Sequence, residues 1–357
     1  MQTRVTMKDI AAELGVAAST VSRALRREAG VSAQVRDRIL AACERRGYRP
    51  NPLVSALMAN RSRMGIDAID TVALLTNYES PESWQCKDVC RWAYSGILRR
   101  AGELGFRIEV VSLAEFDGDA ARMEKMLRAR GIRGVLLGFS RVQDHPALID
   151  PSSFCIAGLS AYFSGLPVDR ANFHGFYNVQ LALMELRKLG YRRTALVTPE
   201  FNNRVSNNTW SGAFLDYQRS LPESERCNPF IPAAETYEEA FNDWLDRSKP
   251  DSLLVYKSPV RELLKRRGLR VPEDLGVAYL YGTSDEMGSA AGIDGNMPAV
   301  GAAAFDLVVE KLNANAQGIP EHPKEVLIKG DWHQGATVQL EDSSMLQNTA
   351  RSSPVAK

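Results

Sequence analysis

Three hydroxyls and three guanidinium groups are packed into nine residues of this chain, Ser19, Thr20, Ser22, Arg23, Arg26 and Arg27, interleaved with Val21 and Leu25. Hydroxyls and guanidiniums donate hydrogen bonds to phosphate oxygens, and an arginine fork also fits the acceptor edge of guanine. Val21 and Leu25, at i and i+4, are expected to face inward, which leaves Ala18, Ser19, Thr20, Ser22, Arg23, Arg26 and Arg27 outward. A charge run is usually a solvated face, and hydroxyls near a helix start are usually caps. One polyanionic partner accounts for the whole outward set together.

The elements that must position these groups are legible on either side. Thr6 is a suitable N-cap, Asp9 suits the positive helix end, and a first helix is expected from Met7 with Ile10, Ala11 and Leu14 on its inner face. Gly15 falls where a left-handed residue would end that helix before a sharp turn, and Val16 points back into the small core. Two short helices about such a turn form a helix-turn-helix, whose second helix enters the DNA major groove. A third helix is expected after Ser32, with Val35, Ile39, Leu40 and Cys43 on one face and Gly47 past its end. Asn51 as N-cap and Pro52 at the next position then allow Leu53 to Ala59 to form about two helical turns, too short to stand alone in water.

Charge divides the chain in the same place. Residues 1–63 hold twelve Lys and Arg against five acids, whereas the rest carries 32 basic and 38 acidic residues, so a formal net charge of +1 conceals a basic head on an acidic body. Only the head suits a polyanion.

From about residue 70, short β-branched runs alternate with helical periods, as parallel α/β units require. The expected strands are 71–75, 107–111, 134–137, 153–157, 194–197, 252–255 and 275–279, with a helix over 88–104 that ends at Gly105. Catalysis has little support. There is no nucleophile elbow, phosphate loop or dinucleotide fingerprint, and His145, His174, His322 and His333 are scattered without metal-ligand spacing. No cofactor and no metal are expected. Five cysteines, an odd number, suit reduced thiols in a cytosol, and no signal peptide or long apolar run is present. The expected setting is cytoplasmic, away from membranes.

The head closely resembles the LacI family of bacterial transcriptional regulators. The family's V-T-x-x-D-I-A, G-V, T-V-S-R and G-Y-x-P-N stand here as Val5 to Ala11, Gly15-Val16, Thr20 to Arg23 and Gly47 to Asn51. The resemblance implies that Ala18, Ser19 and Arg23 face base edges while Thr20 and Ser22 hold phosphates. Thr6 and Arg26 join the DNA-binding set. Residues 51–69 would be a hinge helix and linker that orders on operator binding, with Asn51 and Val54 at the DNA and Leu57 as a minor-groove wedge. Two departures stand out. Ala17 occupies the family's usual Ser, a cap loss of about 1 kcal/mol, and Val54 replaces a common Ala.

The resemblance extends to the body and implies an overall α/β chain: a small all-α head over 1–50, then two doubly wound parallel-sheet lobes of periplasmic-binding-protein type over 70–340. Lobe one would take about 70–167 and 297–325, lobe two about 168–296 and 326–340, and 341–357 would be a disordered tail. Without a leucine heptad in that tail, a homodimer is expected. Ligands of such sheets bind at the carboxyl ends of strands, between lobes. The residues expected there are Asn77, Tyr78, Ser140, His174, Arg204, Asn207, Trp210, Tyr256 and Tyr281, a mixture of aromatic and polar groups that suits a sugar-like molecule. Several contacts of sugar-responsive relatives are replaced, at Thr209, at Lys257-Ser258 and at Tyr281-Gly282. The expected function is a repressor that reads a pseudo-palindromic operator as a dimer under control of a small-molecule effector. The alternative is a ligand-sensing or catalytic α/β protein with an accessory DNA-binding head, which would need a nucleophile and base in the crevice.

Overall fold

The computed structural model describes residues 7–25, 31–46, 48, 70–78, 84, 88–138, 149–160, 166–233, 237–256, 260–282 and 288–339. The head comprises α1 (Met7–Leu14), α2 (Ala18–Leu25) and α3 (Ala33–Arg45). Gly15 ends α1 at φ +64, and the Val16 amide returns to the Ala11 carbonyl at 3.1 Å. Ser32 caps α3 by accepting from the Val35 amide. Ile10, Ala11, Val21, Ala24, Val31, Ile39, Ala42 and Cys43 form the core, and Glu13 on α1 takes Arg45 and Arg46 from α3 at 3.0 and 3.4 Å.

Two expectations for the head are corrected. Ala24 joins Val21 as a fully buried residue of α2, while Leu25 packs against the same core and stays half-buried. Leu40 is 46% exposed, since Ile39, Ala42 and Cys43 at three- and four-residue spacing already fill the inner face of α3.

The body is built on two sheets. The first contains β1 (Thr71–Thr76), β2 (Arg107–Ser112), β3 (Gly134–Leu137), β4 (Cys155–Leu159), β5 (Arg170–Phe173) and β10 (Glu325–Ile328), all parallel, in the order β10-β5-β4-β3-β1-β2. The second contains β6 (Thr194–Val197), β7 (Ser252–Val255), β8 (Gly276–Gly282), β9 (Ala291–Asp294) and the antiparallel β11 (Asp331–His333), in the order β11-β9-β8-β7-β6. β4 starts two residues later than expected, because Asp150 caps a 3-10 turn over Pro151–Ser153. β5 and β10 pair with the first sheet, so residues 168–173 and 326–328, expected with lobe two, complete lobe one instead.

Helices cover both faces of each sheet. In lobe one, α4 (Asp88–Glu103) and α11 (Met297–Ala314) share one apolar layer with β1 and β4, and α5 (Ala120–Ala129) packs on the opposite face. In lobe two, α6 (Gly175–Lys188) and α8 (Thr209–Arg219) cover one face, while α9 (Tyr237–Ser248) and α10 (Val260–Arg266) cover the other; the short α7 (Glu200–Val205) precedes α8. A buried ion pair, Lys311 to Asp169 at 3.0 Å, ties α11 to the entry of β5, and Asp169 also accepts from the Lys324 amide just before β10. Removing either partner would leave a buried charge uncompensated.

The closest helix contact is made by two glycines. A methyl group on Gly96 of α4 would stand 1.8 Å from the Pro298 carbonyl oxygen, and one on Gly301 of α11 would stand 2.0 Å from that of Ala93. Gly301→Ala is therefore expected to lower stability by about 3 kcal/mol, because backbone has to move. Gly212→Ala on α8, where a methyl group meets nothing within 4 Å, is expected to raise it by about 0.5–1 kcal/mol. Urea denaturation of the two variants checks both signs.

Candidate nucleic-acid interface and inter-lobe crevice

The turn between α1 and α2 delivers the polar set to one surface. Ala17, with no side-chain oxygen, starts α2 through its carbonyl, which accepts from Thr20 and Val21 at 2.9 and 3.2 Å. With Val21 and Ala24 buried, Ala18, Ser19 and Arg23 are exposed, and Thr20 and Ser22 are half-buried at the edges of that face. The arrangement offers a short, small-residue helix start with one long guanidinium a turn later. A helix of this width and relief fits a major groove. Thr6, Arg26, Asn51, Val54, Leu57 and the whole 51–69 hinge lie outside the described residues.

The second site is the region where strands of both sheets end. β5 finishes at Phe173, β7 is followed by Tyr256, and Trp210 sits in the first turn of α8. Trp210 is stacked on Tyr256 with ring centroids 5.0 Å apart and on Phe173 at 6.1 Å. Gly175 makes room for this stack, since a methyl group there would stand 3.1 Å from the indole nitrogen of Trp210. Burial pushes the Tyr256 hydroxyl above the usual phenol range, the Cys90 thiol of α4 adds to the rise, and a hydrogen bond with Asn202 of α7 opposes it. The hydroxyl therefore stays protonated at neutral pH and serves as a donor or acceptor, not as a base.

His174 lies beside Phe173 and is the N-cap of α6, with Nδ1 accepting from the Tyr177 amide at 3.2 Å. Thus Trp210 and Tyr256 come together, with His174 next to their stacking partner. Other expected ligand residues do not join them. Tyr78 is buried in the lobe-one core, its amide bonded to the Thr76 hydroxyl and its carbonyl accepting from Ser112. Arg204 and Asn207 are exposed on α7 and on the turn after it, where Asn207 adopts φ +54. Asn77 directly follows β1 and is half-buried, Tyr281 is in the last turn-ward part of β8, and Ser140 lies outside the described residues.

Sequence reasoning missed Phe173, Asn202 and Cys90. Phe173 closes a four-residue strand, Arg-Ala-Asn-Phe, too short and polar to announce itself; its signal was adjacency to His174. Asn202 and Cys90 carry no local pattern.

Comparison with known proteins matches both modules. Residues 6–51 match the family described as bacterial regulatory proteins, lacI family, and residues 183–338 match a periplasmic binding protein-like domain. The repressor CytR of Escherichia coli (strain K12) is 23% identical over 295 residues, covering 77% of this chain and 80% of that protein. Among solved structures, the lac repressor dimer bound to operator and the anti-inducer ONPF aligns with a TM-score of 0.53 at 17% identity, over 95% of this chain and all of that one. A complex of the transcriptional regulator CelR with cellobiose aligns at 0.54 and 18%, over 94% of this chain and all of that one.

A helix-turn-helix head joined to a two-lobed body of this kind defines a DNA-binding transcriptional regulator. The head belongs to the LacI family of regulatory proteins, and the body carries a periplasmic binding protein-like domain.

Arg23 is the group on the exposed face of α2 suited to a base edge. Arg23→Ala is expected to weaken binding to the preferred duplex by about 1–3 kcal/mol and to weaken binding to random DNA by less. Fluorescence anisotropy with both duplexes checks this. Equal losses would show that Arg23 only neutralises phosphate.

Proposed function

We propose that this chain is a repressor that binds a pseudo-palindromic operator as a homodimer, with operator affinity set by a small molecule held between the two lobes. The observation that carries the reading is the face of α2. Val21 and Ala24 are buried, so Ala18, Ser19 and Arg23 stand together in solvent on a head with a large excess of positive charge. Small residues at 18 and 19 offer few bidentate contacts, so Arg23 and the deformability of the site supply much of the preference. Thr6, Thr20, Ser22 and Arg26 serve the phosphates in this reading. Asn51 and Val54 belong to a hinge that folds against the minor groove, and Leu57 wedges the central step open. A single head binds weakly, whereas two heads on a two-fold site gain effective concentration and a fixed half-site spacing.

The proposed effector site is the corner formed by Phe173, His174, Trp210 and Tyr256. Trp210 is packed in the lobe-two core and backs the half-buried Phe173, His174 and Tyr256, whose rings and protonated tyrosine hydroxyl suit a polar ring such as a carbohydrate. The structural neighbour CelR, in its complex with cellobiose, holds a ligand of this class. The expected homes of the regulator and its operator are the same cytoplasm. A catalytic reading would require a base in this corner. Tyr256, held protonated by burial, does not provide one, and the Nδ1 lone pair of His174 is engaged by the Tyr177 amide.

The test is selection of bound sequences from a random duplex pool at near-physiological salt. A two-fold symmetric motif is expected, bound with an affinity that falls steeply with salt. Absence of any enriched motif, with or without a panel of mono- and disaccharides, would refute the reading.

A further inference from the structure

Among the described residues, three crossovers connect the lobes: from Phe173 to Gly175, from Asp294 to Met297, and from Ile328 to Asp331. The third is held by the other two at consecutive backbone groups. The His174 amide donates to the Ile328 carbonyl at 2.7 Å, Asn296 Nδ2 donates to the Lys329 carbonyl at 3.0 Å, and the Gly330 amide donates to Asn178 Oδ1 at 2.8 Å. Asn296, itself in the left-handed region at φ +51, also donates to Asp331 at 2.8 Å. The Lys329 ammonium lies 4.6 Å from the Tyr177 ring centroid. Gly330 is fixed as glycine by crowding. A methyl group there would stand 2.5 Å from the Asp294 carbonyl oxygen, 2.6 Å from Ile293 and 3.0 Å from Asn178 Oδ1.

One group in this cluster is unsatisfied. Asn178 is 2% exposed, yet its Nδ2 has no hydrogen-bond partner. Buried polar groups are nearly always bonded, and an orphaned donor calls for a specific explanation. The amide stands where the third crossover meets the first turn of α6, and Gly330, which it holds, is crowded against the Asp294 carbonyl. A side chain bonded at one end and unpaired at the other has a second arrangement open to it.

We propose that Asn178 and Asn296 form the latch that sets the angle between the lobes. In the described arrangement Asn178 holds the third crossover through Gly330. When the lobes rotate, its Nδ2 takes the Asp294 carbonyl of the second crossover as acceptor, so the two lobe angles differ by bonds at this one side chain. The latch rests on the regulator reading, because its output is operator affinity. Both asparagines act as positioning residues and need touch neither DNA nor effector. A two-state element that both sites bias is what couples them.

The experiment uses the full chain and a duplex that the wild-type protein selects from a random pool. Asn178→Ala and Asn296→Gly, the latter suited to a positive φ, are compared with Thr194→Val, which removes the buried 2.7 Å bond to Ser252 far from the crossovers. Both latch variants are expected to shift operator affinity at least tenfold, and Asn178→Ala to speed hydrogen exchange in the peptide containing Gly330 at least tenfold. Thr194→Val is expected to lower the melting temperature with operator affinity unchanged. Latch variants that bind as the wild type does, while it still selects a duplex, overturn the latch alone. A wild-type protein that selects no duplex overturns the regulator reading and the latch with it.

Discussion

Each lobe of this body is completed by chain that arrives from the other, and that exchange is the constraint on which the remaining architecture depends. β5 hands the chain to α6, β9 hands it back to α11, and β10 passes it over again to β11. Because β5 and β10 are neighbours at the edge of the first sheet, their crossovers run side by side and share hydrogen bonds. Asp169 anchors both at the lobe-one end through Lys311 and the Lys324 amide. Asn178 of α6 and Asn296 at the start of α11 hold the crossover that leaves β10. The crevice lies above a hinge whose backbone groups are tied, so lobe movement must exchange named bonds.

The aromatic corner follows from the same constraint. Phe173 is the last residue of a crossover strand, and it meets Trp210 and Tyr256 because β5, β7 and α8 all end or begin at that edge. Two of the four residues in this corner, Phe173 and His174, belong to the first crossover itself. The α4–α11 crossing, with glycine backbone against backbone, joins the end of the second crossover rigidly to the rest of lobe one. In the proposed reading, effector contacts and lobe angle are linked over short distances by packed elements.

The helix-turn-helix was legible because its determinants are local. A capping serine, a left-handed glycine and apolar residues at helical spacing are each set within a few positions. Burial was read less well at single positions, as with Ala24 joining the core fully and Leu40 turning outward. In the body, runs such as Gly134–Leu137 and Ser252–Val255 were found because central parallel strands are apolar throughout. Edge and crossover strands such as Arg170–Phe173 and Glu325–Ile328 alternate or are polar, and their partners lie about 150 residues away in sequence. The aromatic pair Trp210 and Tyr256 could be expected from strand and helix ends, but Phe173, Asn178 and Asn296 acquire their roles only from tertiary pairing. Tyr78 shows the converse, a residue at a strand end whose ring is taken by the core.

The central claim is that DNA at the head and the angle between the lobes are coupled, and linkage makes that coupling reciprocal. The most direct measurement is hydrogen exchange of the full chain with and without its preferred duplex, followed by peptide across the crossovers at 173–178, 294–297 and 328–331. Changed exchange at the crossovers on DNA binding is the predicted result. Protection confined to residues 1–69, with the crossovers unaltered, would contradict the account.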